Sequence, residues 1–293
     1  MKQPDFSIII VNWKVKNLLD KCLASILADA ANYDLEIIVA DNNSQDGSLQ
    51  MLAEKYPQVI VLPLDNNLGF ARANNLACQK ATGKNFIFLN PDTEVSIGFF
   101  QQTFDYLQKN PQVSIFGPRI INPDGTLQAS VRSLPNWRSQ ILILLKLKNL
   151  PGTKILFNKY LLNDFDYEKE QGVEQIMGAA MVVRQEAWQK IGTFDEKFFI
   201  WFEEVDFCQR AVKKGLEIRY FPGAKIIHYG GQSFDQRNTF KKQLLFNKSL
   251  LYYFYKHQPF WQLLLILLIL PLNIFLTLIY VIFLQSKKSS NIG

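Results

Sequence analysis

What this chain lacks narrows its chemistry before any motif is read. Its 293 residues include three cysteines, Cys22, Cys78 and Cys208, an odd number with no CxxC pair. A disulfide framework and a structural zinc site are therefore not expected, and the soluble part belongs in a reducing compartment. No GxGxxG follows the first apolar run and no GxxxxGK[ST] occurs, which argues against dinucleotide and P-loop folds. The first residues, MKQPDF, lead straight into a β-branched run, with neither a long apolar core nor a small-residue cleavage site, so no signal peptide is expected. A hydrophobic content of 48% against 20% charged residues excludes a disordered chain. The net charge of +6 is modest, and nothing in it calls for a nucleic-acid partner.

What is present begins with alternation. Phe6–Val11, Leu35–Ala40, Val59–Leu62 and Phe86–Leu89 are apolar runs of strand length. Helical spacing over Asn17–Leu27, a helix from about Leu49 and another opened by Asn66–Asn75 separate them. Strands alternating with helices predict βαβ units and a doubly wound, mostly parallel sheet with helices on both faces. The polar turns all follow strands and so gather at one sheet edge, where open α/β sheets bind ligands. Asp41 and Asn43 follow the second strand, Arg72 begins a helix, and Asn90-Pro91-Asp92 ends the fourth strand because Pro91 cannot donate to a ladder. Each residue alone reads equally as a cap or a solvated loop group; their convergence favours a site. A carboxylate accepts from a nucleobase N–H, a guanidinium pairs with a base or phosphate, and an acid such as Asp92 suits a divalent metal that holds phosphate.

A second constellation lies at Gly178–Arg210. A strand at Ala180–Val183 and a short helix at Glu186–Ile191 precede the aromatic wall Phe198-Phe199-Ile200-Trp201-Phe202. Glu203, Glu204 and Asp206 follow it at the start of a helix running to Lys214. Such an acidic first turn suits the helix dipole. Crowded, buried carboxylates also have raised pKa values, which is what a general base near neutrality needs. Between Thr126 and Asn163 the chain has six basic residues and no acidic one. Within that stretch Ile141–Leu150, ILILLKLKNL, reads either as a basic amphipathic helix on an anionic membrane or as a core helix with snorkelling lysines.

These motifs carry a resemblance. SIIIVNWK, DNNSQDGS, NNLGFARANN and FLNPDTE resemble the nucleotide-binding half of a family 2 glycosyltransferase of GT-A fold. GAAMVVR, IGTFDEKFFIWFEEVDFCQRA and IRYFPGAKIIHYGGQS resemble the rhamnosyltransferase-like branch. The resemblance implies that Asp41 holds the base, with Asn43, Arg72 and Asn90 beside the nucleotide sugar. It implies that Asp92 binds Mg²⁺ or Mn²⁺, with His228 approaching the metal or diphosphate. Glu204 falls on the catalytic base, where the family usually has Asp, and Asp206 is the alternative base. Asn90 departs from the commonest acidic form of the metal motif.

The 29 positions from Gln258 to Ser286 carry no charge. Twenty-five helical residues reach about 37 Å, enough to cross a hydrocarbon core of about 30 Å. Pro271 and Asn273 predict a kink or re-entrant bend there. Basic residues Arg237, Lys241, Lys242, Lys248 and Lys256 on its N-side place the enzyme on the cytoplasmic face of the plasma membrane. The expected organisation is a catalytic domain at 1–257, with a nucleotide half at 1–118 and an acceptor half at 119–257, followed by a membrane anchor and tail at 258–293. The expected activity is inverting transfer of a sugar, by resemblance rhamnose, from a nucleotide-diphosphate sugar to a lipid-linked or cell-surface glycan. The rivals are a nucleotidyltransferase acting on sugar phosphates and a non-catalytic membrane protein that binds nucleotide sugar.

Overall fold

A computed structural model describes residues 3–30, 33–147, 153–230 and 239–290. The first four strands are β1 (Phe6–Asn12), β2 (Leu35–Asp41), β3 (Ile60–Pro63) and β4 (Asn85–Leu89). Helices α1 (Lys16–Asp29), α2 (Ser48–Lys55) and α3 (Phe70–Cys78) connect them. They run parallel in the order β3-β2-β1-β4. Strand β1 is buried along its whole length. Ile8 and Ile10 pack with Leu19, Leu23 and Leu52 of α1 and α2, while Ile9 joins Ala71 and Ala77 of α3 on the other face. Continuous apolar runs are what a sheet covered on both sides requires.

The second half departs from strict parallel winding. After β5 (Thr93–Val95), α4 (Phe99–Lys109), β6 (Val113–Ile121) and β7 (Val131–Arg132) come α5 (Trp137–Leu144) and α6 (Lys154–Leu161). Then follow β8 (Gln171–Gly172), β9 (Gln175–Ile176), β10 (Ala180–Arg184), α7 (Gln185–Ile191), α8 (Glu203–Lys213) and β11 (Glu217–His228). Strand β10 inserts between β4 and β6, antiparallel to both, and the order continues β4-β10-β6-β11-β5. Strand β8 pairs with the flank of β11, and β7 with β9 in a separate two-stranded ribbon. One sheet thus runs through both expected halves.

Two helices close the described chain, α9 (Thr239–His257) and α10 (Phe260–Ser290). Pro271 lies inside α10, which continues as α-helix through it. Residues 260–282 of α10 are long and apolar enough to cross a membrane. Of the expected helix Ile141–Leu150 only Ile141–Leu144 is helical, as the end of α5, which starts earlier at Trp137; Leu145–Leu147 are not helical, and residues 148–150 and Arg237 lie outside the described residues. The three cysteines are buried and free, and burial pushes the Cys22 and Cys208 thiols up to about 12.

Candidate active site

A cavity of about 360 Å³ opens at the carboxyl edge of the parallel strands. One wall comes from Asn90, Pro91 and Asp92 after β4, and from His228 at the end of β11. The register that pairs His228 with Thr93 places the imidazole beside Asp92, with Nε2 3.4 Å from Oδ1. Facing residues are Phe199, Ile200 and Trp201 of the aromatic wall, Glu203 and Glu204 at the start of α8, and Ser130, Arg132 and Gln175 near the β7–β9 ribbon.

A hydrogen-bond chain fixes the histidine. Thr126 donates to Asp124 and accepts from Asn122 Nδ2, and Asn122 Oδ1 accepts from Gln128 Nε2. Gln128 Oε1 is left to accept from His228 Nδ1 at 2.7 Å. The proton is thereby assigned to Nδ1, which leaves the Nε2 lone pair beside Asp92. Nε2 makes no hydrogen bond among the described residues, nor do the cavity-lining Ser130 Oγ, Gln175 Oε1 and Glu203 Oε2. Buried polar atoms without partners are costly, so four of them round one cavity mark a surface built for a polar ligand.

A divalent metal fits Asp92 and His228. A lone pair and a carboxylate oxygen 3.4 Å apart, poorly aligned for a hydrogen bond, suit two ligands of one cation. No group of three His, Cys, Asp or Glu side chains that could together hold a metal ion occurs among the described residues. Any further ligands to such a cation would therefore come from phosphate oxygens and water.

The acids at the start of α8 differ sharply. Burial pushes the Glu203 carboxyl well up, and the adjacent Glu204 charge pushes it further. Burial raises Glu204 too, but the Arg132 charge and the Val205 and Gly178 backbone N–H groups hold it down in part. Both carboxyls are thus raised, and Glu204 is the better supported of the two as a carboxylate. Trp201 and Phe202, just ahead of them, adopt left-handed φ of 62° and 68°. Aromatic contacts of Trp201 with Phe246 and of Phe202 with Phe246 and Tyr253 hold that strained turn.

Asp206 has a different task from the one its sequence position implies. It does not line the cavity; it is fully buried between α8 and α9. Its Oδ1 lies 2.6 Å from Lys256 Nζ and 2.7 Å from His257 Nε2, and its Oδ2 2.8 Å from Arg210 Nε. Burial alone would raise its pKa, but the His257 hydrogen bond and the Arg210 and Lys256 charges hold it down at about 2. So weak a base is a tie between helices.

The expected nucleotide residues lie around the cavity rather than all in it. Asn90 lines it. Asp41 is buried, accepting from Asn12 Nδ2 at 2.7 Å and from Ser44 N and Oγ. Asn43 donates to the Asp65 carbonyl. Arg72 is half exposed, with Nε 3.7 Å from Glu196. None of these three lines the cavity, whereas Trp13 and Asn42, given no role from sequence, both do. Asn42 donates to the Gly69 carbonyl and accepts from Leu68 N, joining the β2 turn to the start of α3. Its only signal was its place in a turn dense in Asn and Asp; Gln128 gave none.

A mixed sheet whose strand ends bring an acid and a histidine to one cavity, opposite a buried carboxylate pair at a helix start, defines an α/β enzyme of the GT-A class. Residues 7–170 match the family Glycosyl transferase family 2, and residues 161–231 match the N-terminal domain of galactosyltransferase. The chain belongs to glycosyl transferase family 2. It is 28% identical over 241 residues to the N-acetylglucosaminyl-diphospho-decaprenol L-rhamnosyltransferase of Mycobacterium tuberculosis, covering 77% of this chain and 76% of that one. It is 24% identical over 245 residues to the rhamnosyltransferase WbbL of Escherichia coli, covering 80% and 86%. Among solved structures, the mannosyltransferase PcManGT of Pyrobaculum calidifontis, in complex with GDP-Man and Mn²⁺, matches with a TM-score of 0.54. That match is at 15% identity and covers 99% of this chain and 81% of that one. S. aureus TarS 1–349 matches with a TM-score of 0.54 at 13% identity, covering 86% and 72%.

Proposed function

We propose that this glycosyltransferase moves rhamnose, with inversion, from a nucleotide-diphosphate sugar to a hydroxyl of a lipid-linked glycan. The observation that carries the reading is the single cavity with Asp92 and His228 on one wall and the Glu203–Glu204 pair on another. Leaving diphosphate and incoming hydroxyl need opposite chemistry at separate places. Asp92 and His228 would hold Mg²⁺ or Mn²⁺, which when bound neutralises charge on the diphosphate. Asp41, Asn43, Asn90 and Arg72 orient the nucleotide and its sugar. Glu204 accepts the proton of the acceptor hydroxyl, whose oxygen bonds to the anomeric carbon as the bond from that carbon to the diphosphate oxygen breaks. Glu203, holding its proton, donates a hydrogen bond to the acceptor. The rhamnosyltransferase relatives support the sugar, and the decaprenol-linked substrate named for the mycobacterial relative supports a lipid-linked acceptor. The apolar C-terminal helix keeps the enzyme at the plasma membrane, its catalytic domain on the cytoplasmic face.

The test is binding of dTDP, UDP and GDP to the full chain in detergent, as wild type and Asp92→Ala, with and without Mn²⁺. Selective binding of one diphosphate that requires both Mn²⁺ and Asp92 is expected. Binding indifferent to Asp92 would sink the metal assignment, and no binding at all would sink the donor reading.

A further inference from the structure

Helix α10 is long enough to cross a bilayer, yet it is packed along the catalytic domain. Trp137 of α5 meets Trp261 at 5.8 Å, and Lys146 lies 5.5 Å over the Tyr280 ring. Those contacts are 19 residues apart, roughly 28 Å of helix. Between them Asn247 of α9 donates to Asn273 Oδ1 at 2.9 Å, and Asn273 Nδ2 donates to the Leu144 carbonyl at 2.7 Å. Asn273 and Thr277 are buried, with Leu263 and Ile266 on the same face.

This packing conflicts with a perpendicular span. Asn273 lies about 20 Å along the helix from Phe260, most of the way through a hydrocarbon core of about 30 Å. Exposed Lys248, next to Asn247, would sit at that depth. So would Ser249, which donates to the Ile200 carbonyl of the aromatic wall. The stretch beyond Asn273, as far as uncharged Ser286, reaches only about 20 Å, too short to cross alone.

The opposite face of α10 is apolar and uncovered: Leu264, Leu268, Leu272, Phe275, Leu278 and Ile282 recur at intervals of three and four and are all exposed. On the neighbouring α9, exposed Lys248 lines a shallow groove with Leu263 and Leu267 of α10, and exposed Lys241 stands two turns before it on the same helix. An apolar helix face bordered by cations matches an anionic leaflet. We propose that α10 lies along one leaflet, its outward stripe in the lipid, and seats the catalytic domain on the membrane without crossing it. The seat and the carboxylate pair form one packed unit, because Phe198, Phe202 and Val205 share a cluster with Leu250, Leu263 and Ile266. The proposal rests on the membrane part of the proposed function and replaces its spanning anchor.

The test uses the full chain with a single added cysteine, Ser289→Cys in the tail or Ile97→Cys on the domain, where Ile97 is 98% exposed. The native cysteines are buried. A membrane-impermeant maleimide is expected to label both variants in inverted vesicles and neither in intact spheroplasts. Labelling of Ser289→Cys from outside spheroplasts would overturn the seat in favour of a span. Separately, a Leu268→Lys/Phe275→Lys double variant is expected to bind mixed phosphatidylcholine–phosphatidylglycerol vesicles roughly tenfold or more weakly, with its melting temperature unchanged. Unchanged binding would overturn the lipid stripe. A wild-type chain that fails to sediment with these vesicles would overturn the membrane reading as a whole, while nucleotide binding in the same sample judges the sugar-transfer reading independently.

Discussion

Glu203 and Glu204 are adjacent in sequence and buried in one cavity, and both meet backbone donors, but only Glu204 also has a cation, Arg132, to support its charge. Glu204→Gln is therefore expected to lower kcat by roughly 10²–10⁴-fold while donor-nucleotide affinity stays the same. Glu203→Gln, which keeps a donor in place of the protonated acid, should cost far less. Because burial raises the Glu204 pKa, the acid limb of the rate profile should lie above the usual carboxylate value of about 4.3. Asp206 predicts a different signature. Its folded pKa, about 2, is depressed, so its contribution is full above the ordinary carboxylate pKa and is lost as pH falls through about 2. Asp206→Asn should cost roughly 2 kcal/mol in neutral urea denaturation, a gap that closes in acid, with transfer activity retained in the folded variant. Abolished activity in a folded Asp206→Asn protein would restore Asp206 to the chemistry. In sequence the three acids look alike. What separates them is their partners, and Arg132, Lys256 and His257 come from distant segments that one-dimensional spacing does not bring together.

At the scale of elements, turns decide where the site lies. Gly69 has φ of 85°, and a Cβ there would fall inside contact distance of the Phe199 carbonyl oxygen, which already accepts from Phe70 N. Gly69→Ala should therefore separate α3 from the aromatic wall, costing about 1–3 kcal/mol and weakening nucleotide binding through the Asn42 hydrogen bond. Calorimetric unfolding and a dTDP titration would check both. The β5–β11 pairing places His228, and the Asn122–Gln128 turn sets its tautomer. Gln128→Leu should shift the His228 proton from Nδ1 toward Nε2, visible in imidazole ¹⁵N shifts, and weaken Mn²⁺ binding on the order of tenfold. Asn90 and Asp92 could be picked out from local pattern, because a proline ends their strand, whereas Glu204 among its acidic neighbours and His228 were singled out only by the family resemblance. Gln128 was not, since nothing in a polar turn reveals which distant side chain it will meet.

The whole molecule shows the same division between local and distant information. The parallel winding of β1 to β4 could be read from alternation, but not its order, in which β4 passes over β3 to pair with β1. Strand β10 reads locally as a strand, but its insertion between β4 and β6 is a long-range choice that alternation does not encode. Likewise hydropathy measures the length of α10 and says nothing of its partners. Leu263 and Ile266 are buried against Leu250, Tyr253 and Phe254 of α9, so the last helix completes a core shared with the carboxylate-bearing turn. A chain ending at His257 would uncover that cluster and leave Asn247 without Asn273. Re-exposing two such side chains costs about 1.5–3 kcal/mol each, so the truncated protein should lose roughly 3–6 kcal/mol of stability. It should also lose activity, because α10 packs against α9, whose Phe246 and Tyr253 hold the Trp201–Phe202 turn. An independent anchor predicts the contrary, a soluble fragment with an unchanged unfolding transition and unchanged nucleotide binding. Chemical denaturation of the two chains, followed by near-ultraviolet circular dichroism of the Trp201 region, separates the alternatives.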